Sequence, residues 1–213
     1  MKQFFVLLII ILSLGAVILV PGVSKGMDVA DTVKTAKPEG FPALTLGGGC
    51  FWCLESEFRA IPGVLFTRVG YAGGSVDDPG YRAVTTGKTG HAEAIEITYD
   101  PAKVNAADLL SFFMVKGHDP TTLNRQGVDE GPQYRSVIFY TTDEEKAQAE
   151  DAIKAAQPKW KDKITTTVEK LDRFWEGEEY HQQYYEKYQE ETGSKHIRVQ
   201  IKEKKKAAKA LLQ

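Results

Sequence analysis

Both cysteines of this 213-residue chain, Cys50 and Cys53, stand two residues apart, directly behind Gly47-Gly48-Gly49 and with Phe51-Trp52 between them. A glycine run before an apolar-periodic segment reads as a loop opening a helix. The free N–H groups at a helix N-terminus stabilise an anion. A cysteine at that point, Cys50, is expected to have a lowered pKa and to be partly thiolate near neutral pH. Cys53, three residues on, shares its helix face and can reach it. The segment thus offers a nucleophile, a candidate resolving thiol and an aromatic platform.

Other uses of a C-x-x-C compete with this one. A zinc site needs two further ligands, and the histidines at 91, 118, 181 and 196 form no H-x(3–5)-H pair. A structural disulfide would close a very short loop and contribute little stability. A thioredoxin-like redox protein expects the motif after the first strand of a βαβ unit, with small residues or proline between the thiols. Phe51 and Trp52 are bulky for that role and suit a pocket wall.

A second group with chemistry lies on the segment His91–Tyr99, which reads as a strand. Ile95, Ile97 and Tyr99 share one face and Glu93 has their parity, so its carboxyl is directed to the apolar side of the sheet. There it is poorly solvated, its pKa rises, and it can donate a proton near neutral pH. At the strand end it could instead escape to water; the pattern alone leaves both open. Tyr81 and Tyr134 adjoin Gly/Pro-rich loops and either present hydroxyls at a cleft or simply pack. Asp129 lies in the long polar stretch 117–132, where a solvated charge is the default and long loops are often functional. Trp175, Tyr180, Tyr184, Tyr185 and Tyr188 read as helix packing.

The elements that must hold these groups follow from periodicity and breakers. Strands are expected at 43–46, 64–71, 92–99, 134–141 and 164–171. Helices are expected at 50–59, at 106–116 behind an Asn105 cap, from an Asp143 cap to Pro158, and at 178–190, with a loop or short helix near Tyr81. Interspersed strands and helices with few clean βαβ repeats give a single α+β domain of two layers. Apolar content of 42% and charged content of 26% are ordinary for a globular domain, and a net charge of −2 gives no sign of nucleic-acid binding. Phe4–Val20 is apolar apart from Ser13 and Gly15, so residues 1–22 read as a secretory signal or a membrane anchor, and the domain as exported. Residues 23–40 read as a linker, 41–200 as the domain, and 201–213 as a basic, solvated helix or tail. In an oxidising compartment a working dithiol needs a dedicated reductant.

Taken in order, the segments Gly49-Cys50-Phe51-Trp52, Gly70-Tyr71-Ala72-Gly73-Gly74, Tyr81, Thr89-Gly90-His91-Ala92-Glu93, His118-Asp119-Pro120-Thr121, Leu123-Asn124-Arg125-Gln126-Gly127, Gln133-Tyr134-Arg135-Ser136 and Glu179-Tyr180-His181-Gln182 resemble the A-type peptide methionine sulfoxide reductases. The resemblance runs from about residue 42 to 199 and implies a two-layer α+β fold with ferredoxin-like character. It implies that Cys50 attacks the sulfoxide sulfur and is left as a sulfenic acid, and that Phe51 and Trp52 wall the pocket for the ε-methyl group. Glu93 would protonate or hydrogen-bond the sulfoxide oxygen, Tyr81 and Tyr134 would add donors, and Asp129 would support the site. The implied substrates are methionine-S-sulfoxide in oxidised proteins and the free amino acid. No bound cofactor or metal is implied, only an external thioredoxin-like or dithiol reductant, and the chain is expected to be a monomer. Many members carry resolving cysteines near the C-terminus; this chain has none there, and Cys53 stands where they have glycine. Cys53 is therefore expected to resolve the sulfenate as a Cys50–Cys53 disulfide.

Overall fold

The computed structural model describes residues 36–211, with side chains to residue 204. The apolar segment 4–20, read as a signal or anchor, lies outside the described residues. In chain order the elements are β1 (Ala43–Gly47), α1 (Phe51–Arg59), β2 (Val64–Ala72), α2 (Tyr81–Val84), β3 (Ala92–Tyr99), α3 (Ala106–Phe112), β4 (Arg125–Gln126), β5 (Asp129–Glu130), β6 (Val137–Tyr140), α4 (Asp143–Ala156), β7 (Thr167–Lys170), β8 (Phe174–Glu176), α5 (Tyr184–Thr192) and α6 (Ile197–Leu211). Six strands form one sheet in the order β7-β6-β1-β3-β2-β8, antiparallel except for the β6–β7 pair. β4 and β5 make a separate small hairpin inside the long loop.

Strand alternation sorts the side chains into two faces. Leu44, Leu46, Ile95, Ile97, Tyr99 and Ile138 bury against Leu54 and Phe58 of α1, Leu109 and Leu110 of α3, and Ala149 and Ala156 of α4. Each large side chain taken out of water there contributes about 1.5–3 kcal/mol. The other face holds a smaller cluster of Ala72, Ala92, Ala94, Val137 and Phe139. Ion pairs skirt it, with Arg68 between Glu96 and Glu176 and Arg135 on Glu169. The result is a mixed sheet with its main helices on one face, a single α+β domain.

Several boundaries differ from the expected ones. The helix from Ala106 ends at Phe112 and continues as a π-turn over Phe113–Gly117, whose bulge lets Phe113 and Met114 both bury. Thr142, not Asp143, caps α4: Thr142 and Glu145 form a capping box. Tyr134 does not open a strand; it ends a 3₁₀ turn over Pro132–Tyr134, and the strand begins at Val137. The strand expected at 164–171 shortens to β7, and β8 was not expected at all. The helix expected at 178–190 splits into a 3₁₀ turn, Glu179–His181, and α5, with Gln183 left-handed between them at φ 52. Gln182 explains the break. Its side-chain amide accepts from the Val69 N–H at 2.8 Å and donates to the carbonyls of Val69 and Gly177 at 2.9 Å, pinning this segment to β2. The basic run expected as a solvated helix or tail is helical, as part of α6, and its Lys202 pairs with Glu57 of α1 at 2.5 Å.

Candidate active site

The site forms where β1 turns into α1. Gly49 has φ +88, a conformation side chains rarely adopt, and a Cβ there would lie 2.6 Å from Cβ of Gln126 in the β4–β5 hairpin. Only glycine lets the chain pass under that hairpin and enter the helix. Cys50 is the N-cap of α1, with its side chain making no capping bond, and Cys53 stands one turn on; both are half-buried free thiols.

The thiols behave as a pair sharing a proton, which corrects the expectation that Cys50 is the acidic one. The Cys50 thiol donates to the Cys53 sulfur, and that bond, with burial and the nearby Cys53 and Glu93 charges, pushes Cys50 up. The same bond pulls Cys53 down to about 6 against the opposing effect of burial, helped by the Tyr185 hydroxyl and by the cations Lys202 and Arg198. Tyr185 lies 3.2 Å from the Cys53 sulfur, and burial holds its own proton in place. Cys53 accepts from the Cys50 thiol and has the Tyr185 hydroxyl, Lys202 and Arg198 beside it, while burial works against charge on Cys50.

Glu93 lies where strand parity directs it. It is 2% exposed on β3, opposite Tyr71 of β2. Its Oε2 accepts the Phe51 N–H, in the first turn of α1, at 3.0 Å. Burial nonetheless pushes its carboxyl up to about 8, with the Asp129 and Cys53 charges adding to the rise. The group is mostly protonated at neutral pH.

Cys50, Phe51, Trp52, Tyr81, Glu93, Asp129 and Tyr134 all line one cavity of about 250 Å³, together with His196 and Arg198. The structure thus brings together every expected site residue except Cys53, which lines an adjoining cavity of about 540 Å³ that Cys50 also borders. Burial and the Glu93 charge raise Tyr81, and push Tyr134 up to about 12, so both keep their hydroxyl protons. Asp129 is not a solvated charge: Arg198 grips it with both terminal nitrogens at 2.8 and 2.9 Å. Among the described residues no cluster of His, Cys, Asp or Glu is arranged to hold a metal ion.

Residues to which the sequence reading gave no site role of their own, among them His181, Tyr184, Tyr71 and Glu178, hold this wall in shape. Trp52 donates its indole N–H to Nδ1 of His181 at 3.0 Å and stacks on Tyr184 at 3.8 Å between centroids. His181 is fully buried, and burial keeps its pKa below the usual value, which suits the acceptor role of Nδ1. Phe51 packs on His181, Tyr71 and Tyr81. Glu178 accepts from the Tyr71 hydroxyl at 2.8 Å and from the Tyr81 N–H at 2.9 Å, fixing where α2 begins. Behind α1, buried Glu55 accepts from Thr67 and from the Gln183 N–H, which holds the left-handed turn before α5. The segment Glu179–Gln182 and the aromatic stretch with Tyr184 and Tyr185, read as helix packing, pointed to this wall; nothing local signals Arg198.

The model of the family "Peptide methionine sulfoxide reductase" matches residues 42–212. A peptide methionine sulfoxide reductase MsrA of Haloquadratum walsbyi is 50% identical over 143 residues, spanning 67% of this chain and 82% of its own. Among solved structures, reduced Mxr1 of Saccharomyces cerevisiae superposes with a TM-score of 0.68 at 36% identity, covering 73% of this chain and 91% of that one. Mxr1 in complex with Trx2 gives 0.50 at 28% identity, covering 71% and 91%.

Proposed function

Since this chain belongs to the peptide methionine sulfoxide reductase family and is an oxidoreductase that reduces methionine sulfoxide, we propose that Cys50 is its nucleophile and Glu93 its acid. The methionine-S-sulfoxide side chain enters the small cavity with its methyl group against Phe51 and Trp52 and its oxygen toward Glu93, Tyr81 and Tyr134. Cys50 passes its proton across the hydrogen bond to Cys53 and its sulfur attacks the sulfoxide sulfur. Glu93 gives its proton to the oxygen, which is otherwise a poor leaving group. The protonated oxygen passes from the substrate sulfur to the Cys50 sulfur as the transient sulfur–sulfur bond breaks toward methionine. Methionine thus departs with its sulfur reduced and Cys50 is left as a sulfenic acid. Cys53 then attacks the Cys50 sulfur, the hydroxyl leaves as water, and a Cys50–Cys53 disulfide remains. A thioredoxin-like dithiol returns the pair to thiols, in keeping with the complex that the similar Mxr1 forms with Trx2.

The observation that carries this reading is the carboxyl of Glu93, buried, amide-bound and pushed up to about 8 in the cavity that Cys50 opens onto. Free and protein-bound sulfoxide are both proposed substrates. A thiol–disulfide exchange protein without a small pocket is the rival, and exchange needs no acid beside the thiol. Turnover of S- and R-methionine sulfoxide with dithiothreitol decides: S-specific turnover is expected, and none with the S epimer defeats the assignment. The ferredoxin-like character of the domain belongs to the same reading, supported by the order β6-β1-β3-β2 of the central strands with α1 and α3 as crossovers. We further propose that segment 4–20 directs the domain out of the cytoplasm, tested by sequencing the N-terminus of the mature protein and fractionating cells.

A further inference from the structure

We propose that Arg198 is a positioning residue for the sulfur chemistry: clamped by Asp129 at the rim of both cavities, its guanidinium holds the negative charge of the Cys50–Cys53 pair in place. This rests on the sulfur-centred reaction given above.

The geometry comes from three elements. Arg198 is the second residue of α6, and its two terminal nitrogens meet the two carboxylate oxygens of Asp129 on β5. That bidentate fork fixes the guanidinium plane, which a single contact would not. From this position Arg198 borders the small cavity with Cys50 and Glu93, and the larger one with Cys50 and Cys53. The start of α6 is itself seated. His196 stacks on Tyr185 at 4.9 Å between centroids, and Lys202 pairs with Glu57 of α1. The guanidinium is thus delivered to the site by packing.

The charges facing it explain why it is needed. They are Asp129 on β5, Glu93 on β3, Cys50, Cys53 and Glu57 at α1, Tyr185 on α5, Lys116, His118 and Asp119 ahead of the β4–β5 hairpin and, on its own side, His196, Lys202 and Glu203. Tyr81 and Tyr134 line the same small cavity. Alone, the Asp129 carboxylate would repel a thiolate and push Glu93 further up. The guanidinium cancels that charge and acts in the opposite sense on both Glu93 and Cys53. Asp129 therefore serves chiefly as the holder of Arg198.

The test is the pH dependence of iodoacetamide alkylation of the substrate-free full-length enzyme, read alongside the pH profile of kcat/KM for S-methionine sulfoxide. In Arg198→Gln the alkylation midpoint should rise by about half a pH unit or more, the effect of losing one nearby cation at a partly exposed site. Both limbs of the kcat/KM profile should move up with it. Arg198→Lys should recover most of the shift, because the charge is kept. Asp129→Asn should raise the midpoint as well, by less than Arg198→Gln does, because the clamp that keeps the guanidinium beside the sulfurs is lost. A slower Arg198→Gln enzyme with unmoved midpoint and limbs would mean that Arg198 only anchors α6, and would overturn the proposal. So would an unmoved or lowered midpoint in Asp129→Asn, which decides the matter even if Arg198→Gln does not fold. Alkylation needs no sulfoxide turnover, so failure here is separable from failure of the reductase assignment.

Discussion

Glu93 reaches the site from the sheet and Cys50 from a helix cap, and the reaction needs both protonation states at once: an ionised sulfur and a neutral carboxyl. With Cys53 down to about 6 and Glu93 up to about 8, kcat/KM should follow a bell, rising as the sulfur pair ionises and falling as Glu93 does. Glu93→Gln should lower kcat about 10²–10⁴-fold and abolish the alkaline limb, measured with saturating dithiothreitol. In Cys53→Ser, mass spectrometry after a single turnover without reductant should find one added oxygen on Cys50, whereas the unaltered enzyme should lose two hydrogens. An oxygen retained on Cys50 with Cys53 present would refute resolution by Cys53. The parity of Glu93 with Ile95 and Ile97 made its face of the sheet legible from the sequence, because alternation is a local rule, but not whether the strand end let it reach water. The charge on the sulfurs was not legible. It depends on Tyr185, 132 residues from Cys53, and on Arg198, and no pattern along the chain reports a contact at that separation.

At the scale of elements, strands and helices were readable where their own periodicity decided, as in β1, α1, β2 and β3. They were misread where a tertiary partner overrode it. Glu178–Glu190 has helical composition, yet the Gln182 amide and the Glu55 carboxylate hold the chain in a turn there. The turn at Gly49 carries a sharp prediction. Gly49→Ala forces a side chain into left-handed backbone, at roughly 1–2 kcal/mol, and against the β4–β5 hairpin. The hairpin carries Asp129, so this variant should lose more activity than its fall in Tm explains, when kinetics and calorimetry are compared at one pH. Thr142→Ala, far from the site, should cost about 1 kcal/mol of stability through the lost capping box and leave kcat unchanged.

The whole molecule bears a cost for its buried acids. Glu93 and Glu55 fold with carboxyls raised to about 8 and about 7, mainly by burial, so the native state binds protons more tightly than the unfolded chain does. Their contribution is full below the ordinary carboxylate range and is lost as pH climbs through 7 and 8. Tm should therefore fall by several degrees from mildly acidic to mildly alkaline buffer, and Glu93→Gln should flatten that fall, by calorimetry across pH. The fold class was accessible because interspersed elements leave few layer arrangements, while the order β7-β6-β1-β3-β2-β8 depends on pairings that composition does not encode.

The amide that steadies Glu93 belongs to Phe51, on the backbone between the two sulfurs. A covalent bridge across that turn must draw its ends together and rotate the peptide units it spans. Oxidation would then tug on the proton donor's own tether, so a spent enzyme would hold its acid less well than a fresh one. Recycling would restore the grip along with the thiols, and each round would start from a reset cavity.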